Sequence, residues 1–407
     1  MFSDKPAFLK EALVQYKTEM EAELQAILRY WMDNAVDEVN GGFIGRVTHD
    51  NQKHYGARKG SVLNSRILWT FSAAYNINAN DDYLTMALRA YDYLTRCFMD
   101  KEAGGVYWSL THRGEPLETK KQIYAQAFAV YGLSEYYAAS QKEEAKGAAI
   151  ALYKTIVEHS YDKEYGGYWE ALSRDWKALD DLRLSEKDAN EKKSMNTHLH
   201  VLEAFAALYR VWPDEGLKQK LTELFHLFLD RIIAKQNHHL ALFFEDDWTS
   251  KSSLISYGHD VEAAWLIQEA TEIVGDKLLL LEVKACSLNI AEAAAKGLDE
   301  DGGLWYEYDS AQHHLITEKH WWPQAEAMVG FFNAWQNTGD EKWLNHSLKS
   351  WAFIQKFIKD ETGEWNWGVK EDYSLMANED KAGLWKCPYH NGRACIEIIR
   401  RINTLLD

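Results

Sequence analysis

Polar residues that could carry protons occur in pairs at helical spacing. Asn196 and His200 are four residues apart, and His259 and Glu262 are three apart, so each pair would share one face of a helix. Imidazole has an unperturbed pKa of about 6.5 and can give or take a proton near neutral pH. The pairs therefore indicate acid/base chemistry, although a single histidine in a helix more often has a structural role.

These candidates recur with a long period along the chain. One marker from each stretch falls at residues 66, 126, 196, 259, 322 and 390, with steps of 60, 70, 63, 63 and 68. A repeating fold that aligned the six stretches would bring all of them to one place. The full set is Arg66, Tyr124, Gln126, Asn196, His198, His200, His259, Glu262, Trp322, Gln324, Glu326, Trp385 and His390.

Paired glycines followed by aromatic residues repeat with a similar period. The first glycines fall at 41, 104, 166, 302 and 363, which gives separations of 63, 62, 136 and 61. The gap of 136 spans two periods, and we interpret residues 236–239 at its midpoint as a copy that lacks glycines. Paired glycines supply the positive φ of a tight turn, and the alternating aromatics after them suit a short strand. The motif therefore predicts six units of roughly sixty residues.

Each unit carries two amphipathic helical patterns, as in residues 199–208 and 221–232. Six such helix hairpins, with a helix around residues 9–31 pairing with one around 394–406, predict an all-α fold. We expect a closed (α/α)6 barrel with short β-hairpins at one end, forming a single catalytic domain over residues 1–407. Inner helices of such a ring all begin at one end, where the polar candidates would meet. An open superhelical array is the alternative, but its repeats are usually shorter.

Composition excludes several classes of partner. The formal charge is −17, from 45 basic and 62 acidic residues, which disfavours nucleic acid and anionic membranes. Four cysteines without CxxC spacing, no signal peptide and no long apolar run predict a reduced, cytoplasmic protein. Aromatic residues make up 13% of the chain. Most would fill a large helical core, and a minority could line a carbohydrate site.

Three segments resemble cellobiose 2-epimerases: residues 183–200, the Tyr-Gly-His-Asp-Val-Glu of 257–262 and the Trp-Lys-Cys-Pro-Tyr-His of 385–390. The resemblance covers essentially the whole chain, and more distantly includes N-acetylglucosamine 2-epimerases and aldose-ketose isomerases. It implies a β-1,4-linked disaccharide substrate, such as cellobiose or lactose, whose reducing-end glucose becomes mannose. It also implies that no metal, nucleotide or other cofactor is needed.

The resemblance further implies roles for individual residues. His259 and His390 match the acid/base pair of the family, and His200 matches a histidine beside the reducing-end sugar. Glu326 is added as a substrate-binding candidate from its position in the repeat. The substrate contacts that the resemblance implies are Arg66, Tyr124, Asn196, Glu262 and Trp322, with Trp385 stacking on the sugar and Asp188 near its non-reducing end.

Inversion of carbon 2 requires ring opening, removal of the proton beside the aldehyde and return of a proton to the opposite face. Two proton carriers on opposite sides of the sugar are therefore needed, and His259 and His390 would serve in either order. The enediolate intermediate carries negative charge. Arg66 and the N-terminal ends of the inner helices would stabilise it.

Other details stay open at the level of sequence. His200 would assist ring opening with support from Asn196 or Glu262. Glu262 and Glu326 would alternatively be first-turn carboxylates that complement the helix dipole. The charged segment 174–194 would either cap the site or form a solvated loop.

Other functions are compatible with part of this pattern. An inverting glycoside hydrolase on the same barrel would use two carboxylates, for which Asp188, Glu262 and Glu326 are available, but the histidines would then have no role. An aldose-ketose isomerase, an N-acetylglucosamine 2-epimerase and a non-catalytic carbohydrate-binding protein are further alternatives. A metal site built from His198 and His200 is disfavoured, because residues two apart on a helix face different directions.

Overall fold

The computed structural model describes residues 7–406, and twelve α-helices dominate them. Even-numbered helices each contact the next one, and α12 contacts α2, so they form a closed inner ring. Odd-numbered helices pack outside the ring, and α1 pairs with α12. The (α/α)6 barrel and the pairing of its terminal helices are thus confirmed. The helices are α1 (Ala7–Asn34), α2 (Ser61–Asn78), α3 (Asp81–Tyr93), α4 (Ile123–Ser140), α5 (Glu143–Ser160), α6 (Met195–Val211), α7 (Glu215–Leu227), α8 (Tyr257–Val274), α9 (Lys277–Ala294), α10 (Trp321–Thr338), α11 (Glu341–Phe353) and α12 (Tyr389–Leu406).

Inner helices are buried on all sides, whereas outer helices bury one stripe. Every residue of α2 from 61 to 74 and of α4 from 123 to 136 is buried. The outer helix α7 buries only Leu217, Leu221, Leu224 and Phe225. Because a buried polar group needs a partner, polar side chains inside the ring must pair with one another. No helix within residues 7–406 is long and apolar enough to cross a membrane.

Three outer helices end in a π-helical turn, at Leu94–Phe98, Phe228–Ile232 and Ile354–Ile358, and α9 ends in a 3-10 turn at Ala295–Gly297. Each is followed by one of the predicted turns. In the copy without glycines, Ile233 bridges Leu240 just as the corresponding positions bridge in four of the other turns. His238 there has a φ of 64°, the left-handed conformation that glycines supply elsewhere. The sixth copy is therefore confirmed.

Short antiparallel strands join neighbouring loops at the end where inner helices begin. The strand directly before an inner helix pairs with one that follows the next turn, as β6 does with β7. A bridge from Val47 to Ala382 connects the first loop with the last. The strands are β1 (Lys59–Gly60), β2 (Ser109–Leu110), β3 (Pro116–Glu118), β4 (Lys121–Gln122), β5 (Ala171–Leu172), β6 (Lys193–Ser194), β7 (Phe243–Phe244), β8 (Leu254–Ser256), β9 (Glu307–Asp309), β10 (His314–Ile316), β11 (Lys319–His320) and β12 (Gly368–Val369).

Buried lysines close five of the six loops that precede inner helices in the described chain. Each lysine lies two or three residues before the helix. Four of them pair with an aspartate at the start of the turn, and Lys386 pairs with Glu364, the residue after Gly363. In the α7–α8 loop, Ile255 stands in the corresponding position, and His239 instead bonds Asp260 at 2.6 Å. The five loop-closing pairs are Lys59–Asp37, Lys121–Asp100, Lys193–Asp162, Lys319–Asp299 and Lys386–Glu364, with N–O distances of 2.6 to 2.9 Å.

Candidate active site

The beginnings of the inner helices bring the three predicted histidines together. The indole of Trp322 lies 4.7 Å from the imidazole of His259 and 5.6 Å from that of His390, measured between ring centroids. His200 packs edge-on against Tyr124 at 5.0 Å. Five inner helices, α4, α6, α8, α10 and α12, therefore contribute side chains to this part of the structure.

Two of these histidines rest on buried carboxylates. Nδ1 of His200 lies 2.9 Å from Oε2 of Glu203, and Nδ1 of His390 lies 2.7 Å from Oε1 of Glu326. A carboxylate only accepts hydrogen bonds, so it favours the tautomer with the proton on Nδ1. The Nε2 lone pair of each ring is then available to take a proton.

His259 has a different kind of partner. Its Nδ1 lies 2.8 Å from the hydroxyl of Ser256, the residue before α8. A hydroxyl can donate or accept, so this contact suits either protonation state of the ring. Burial lowers the pKa of His259, His200 and His390, which favours the neutral form of each ring, with a lone pair that can accept a proton.

Arg393 of α12 connects the carboxylates at the barrel axis. Its guanidinium donates to Glu262 and Glu326 at 2.6 Å each, and also to Glu203. Burial raises the pKa of both Glu262 and Glu326, and the charge of Arg393 opposes that rise. Ligand atoms of Glu262, Glu326 and His390 lie within 4.8 Å of one another, the spacing of a metal site. The guanidinium already supplies positive charge to these two carboxylates.

Two of the hypotheses drawn from sequence are wrong. Glu262 and Glu326 are the sixth residues of α8 and α10, beyond the first turn, and they bind the arginine of α12. The dipole effect falls off within the first turn, so their role is not dipole complementation. The polar partner of His200 is Glu203, and neither Asn196 nor Glu262 takes that place.

Arg66 places a second positive charge among aromatic rings. It is 2% exposed and donates to the hydroxyl of Tyr124 at 2.7 Å. Its guanidinium carbon lies 4.2 Å from the ring centre of Phe128 and 4.7 Å from that of Tyr389. Stacking on aromatic faces stabilises the cation and holds it in place.

Aromatic side chains border the group of histidines. Trp385, half-buried, lies 5.8 Å from Trp108 and 6.1 Å from Tyr124 between ring centroids. Trp322 is also half-buried. Indole faces that keep some exposure can pack on the CH-rich face of a pyranose.

Asp188 and Asn196 lie along a small cavity of about 20 Å³, beside Glu170. The Asp188 carboxylate accepts from the backbone N–H of Ser185 at 2.9 Å and from its hydroxyl at 3.0 Å. Burial raises the pKa of Glu170 to about 7. Oδ1 of Asn196 is buried and has no hydrogen-bond partner within the described chain. An acceptor left in this way is available to a ligand hydroxyl.

Segment 174–194 is bonded to its surroundings at its first residue and near its middle. Arg174 bonds Asp100 at 2.8 Å, and Nζ of Lys120 donates to the carbonyl of Arg183 at 2.9 Å. These contacts favour the capping alternative for this segment over a freely solvated loop.

Three polar residues of the repeating set have structural roles. Gln126 and Gln324 each bond the main chain just after the preceding turn. Nε2 of His198 accepts from the backbone N–H of Tyr168 at 2.9 Å, and its Nδ1 lies 2.7 Å from the carbonyl of Ser194. Both ring nitrogens of His198 are thus engaged, which opposes the metal site considered with His200.

Two partners of the histidines, Glu203 and Ser256, and the arginine that binds the buried carboxylates were not identified from sequence. Glu203 follows His200 by three residues, and Ser256 precedes His259 by three. Arg393 is likewise three residues beyond His390. Spacing of three on a helix places side chains on one face, and that signal could have found these partners.

Comparisons with known proteins agree with this architecture. A family model described as N-acylglucosamine 2-epimerase matches residues 42–394. A cellobiose 2-epimerase from Bacteroides fragilis is 50% identical over 385 residues, 94% of this chain and 98% of that protein. The solved cellobiose 2-epimerase from Spirochaeta thermophila is 36% identical, with a TM-score of 0.92 over 99% of this chain and 100% of that one. The solved cellobiose 2-epimerase from Bacillus thermoamylovorans is 40% identical, with a TM-score of 0.91 over 95% of this chain and 99% of that one.

Proposed function

Since this chain belongs to the N-acylglucosamine 2-epimerase family, we propose that it inverts carbon 2 of the reducing-end glucose in β-1,4-linked disaccharides such as cellobiose and lactose. Relatives named cellobiose 2-epimerase, 35% to 50% identical over more than nine-tenths of the chain, support that substrate class. The observation that carries the mechanism is the pair His259 and His390, which come from different helices and contact the same indole.

The proton transfers follow from the contacts of the two rings. With Nδ1–H held by Glu326, His390 takes the carbon 2 proton on Nε2, and the carboxylate stabilises the imidazolium that forms. His259, whose Nδ1 contacts a hydroxyl that suits either protonation state, takes a proton from solvent as the substrate binds. It gives the Nε2 proton to the opposite face of carbon 2 and ends neutral, and the proton on His390 then passes to solvent. When the other epimer is bound, the two histidines exchange roles.

Between these transfers, an enediolate carries negative charge on the oxygens of carbons 1 and 2. The buried guanidinium of Arg66 and the N-terminal ends of the inner helices provide positive potential there. A preorganised donor of this kind contributes about 3 kcal/mol to transition-state stabilisation.

Features around the histidines support a disaccharide rather than a single sugar. Trp322 and Trp385 offer two indole faces, and Glu262 and Tyr124 offer polar contacts. Segment 174–194 adds Asp188, which lines one cavity with Asn196. We propose one catalytic domain over residues 1–407 that acts on sugars in the cytoplasm without a cofactor and binds neither nucleic acid nor membranes. Four free cysteines and the net charge of −17 support that placement.

Incubation with cellobiose in heavy water tests the proposal. We expect a new disaccharide with mannose at its reducing end and deuterium at carbon 2. An unlabelled epimer would indicate oxidation and reduction instead, monosaccharides would indicate hydrolysis, and a ketose alone would indicate an isomerase. Each of these outcomes would contradict the proposal. Parallel incubations with lactose, N-acetylglucosamine and mannose should give the fastest turnover on the disaccharides.

A further inference from the structure

Glu203 lies one helical turn below His200 on α6 and is 5% exposed. Its two carboxylate oxygens have separate partners. Oε2 faces Nδ1 of His200 at 2.9 Å, while Oε1 accepts from the hydroxyl of Tyr389 at 2.6 Å and from the guanidinium of Arg393. Oε2 therefore bonds the histidine, and Oε1 bonds two residues of α12.

The environment of Glu203 keeps it ionised. Burial acts to raise its pKa, but the charge of Arg393 and the hydrogen bonds from His200 and Tyr389 lower the pKa of Glu203 to about 2. An ionised carboxylate has no proton to donate. The proton between Glu203 and His200 therefore belongs to Nδ1 of the histidine, and Nε2 keeps a lone pair.

The ring of His200 is also fixed in orientation. Tyr124 meets it edge-on at 5.0 Å and 86°, and Phe128 packs against it at 4.7 Å. A ring held on two sides and anchored at Nδ1 has little freedom to flip. Tautomer and orientation are thus set together, in the way that a carboxylate orients the histidine of other acid/base sites.

We propose that Glu203 is a positioning residue that makes Nε2 of His200 the base for ring opening, a step that rests on the proposed function. Nε2 takes the proton of the anomeric hydroxyl as the carbon 1 carbonyl forms. The bond between carbon 1 and the ring oxygen breaks, and that oxygen receives the same proton from Nε2. The histidine ends neutral, as it began, and the open-chain aldose is ready for proton removal at carbon 2.

The substitution Glu203→Gln tests this assignment. The amide keeps an oxygen for Tyr389 and Arg393 but presents an N–H group to Nδ1 of His200, which favours the opposite tautomer. We expect kcat for cellobiose to fall by about 10²-fold with KM within about threefold. Glu135→Gln is a matched control, because it makes the same change at a buried carboxylate of α4 that bonds Arg210 and Asn76 instead. Its kcat should stay within about twofold of wild type.

A double-variant comparison separates positioning from general structural damage. If Glu203 acts through His200, the variant carrying both Glu203→Gln and His200→Ala has the kcat of His200→Ala alone. Losses that multiply in the double variant, or a wild-type kcat for Glu203→Gln, would overturn the proposal. Absence of carbon 2 epimerase activity in the wild-type protein would instead refute the proposed function.

The tautomer of His200 can also be measured directly, even if the Glu203 variant does not fold. Wild-type protein with ¹⁵N-labelled histidine, with His200→Gln used to assign the signals, should show His200 protonated at Nδ1 and unprotonated at Nε2 near pH 7. A proton on Nε2 and none on Nδ1 would refute the positioning role, whatever the kinetics show.

Discussion

Replacing Arg393 with methionine should destabilise the barrel substantially. The guanidinium donates to Glu203, Glu262 and Glu326, and the side chains of all four residues are 3% exposed or less. Breaking a buried ion pair by removing one partner costs about 3–5 kcal/mol. We expect a loss in that range rather than a sum over three bonds, because Glu262 and Glu326 already have raised pKa values and can take up protons.

The expected change in Tm follows from the length of the chain. An unfolding entropy of about 2.1 cal/mol/K per residue gives about 0.85 kcal/mol/K for 407 residues. A loss of about 3–5 kcal/mol therefore lowers Tm by about 4 to 6 °C.

The size of this deficit should depend on pH. Burial raises the pKa of Glu262 and Glu326, and loss of the guanidinium would raise both further. A carboxyl group with a raised pKa in the folded state stabilises the fold below its unfolded pKa of about 4.3, and that stability is lost as the pH rises through the folded pKa. The Tm deficit of Arg393→Met should consequently be smaller at pH 5 than at pH 8.

Calorimetry of wild type and Arg393→Met at both pH values, at one scan rate, measures the effect. Arg29→Met is the control, since Arg29 is 75% exposed and its pair with Asp33 should contribute less than about 0.5 kcal/mol. A Tm within about 1 °C of wild type at pH 8, or a larger deficit at pH 5, would refute the reasoning about the carboxylates.

Four further substitutions probe the chemistry and the turns, two at histidines and two at glycines. His259→Ala and His390→Ala should each lower kcat for cellobiose by about 10²- to 10⁴-fold with an unchanged far-UV circular dichroism spectrum, and near-normal epimerisation by either variant would remove that histidine from the mechanism. Gly167 has a φ of 78°, and an added Cβ would lie 2.5 Å from the indole of Trp248, so Gly167→Ala should lower the free energy of unfolding by about 3 kcal/mol or more. Gly166→Ala has a similar φ of 73° but open space, so calorimetry should show a loss of about 1 kcal/mol, and equal losses for both glycines would refute the steric argument.

The ring of helix pairs was predictable because its turns require a positive φ at particular residues. Gly41, Gly104 and Gly166 have positive φ, which few other residues adopt readily, so the repeat is visible in residue types. His238 adopts the same conformation without glycine, and only the regular spacing of the other turns located that copy.

The carboxylates that Arg393 binds were harder to predict because they depend on distance through space. Arg393 bonds Glu203 and Glu262, which lie 190 and 131 residues away in sequence. Nothing in the local pattern around Glu262 distinguishes a carboxylate bound by a distant arginine from one near a helix terminus. The regular spacing of the repeat predicted which residues come close together. Which of their atoms form hydrogen bonds depends on how the helices pack.

The buried lysines went unrecognised although their spacing is regular. Lys59, Lys121 and Lys193 each lie two residues before an inner helix, and an aspartate lies four residues before the first glycine of the corresponding turn. Charged residues near turns are usually exposed, so composition gave no reason to bury them. Their burial follows from the crowding of six loops at one end of the barrel.

These lysine pairs also divide the protein into parts that can change independently. The pair of Asp162 with Lys193 ties the two ends of the α5–α6 connection, so the stretch between them can differ in length or sequence while α6 still begins at the same place. Under the proposed function, mutations there should change the contacts to the outer sugar and leave His200, His259 and His390 in place. Natural selection or protein engineering can therefore change substrate specificity through one connection at a time, without moving the residues proposed to catalyse the reaction.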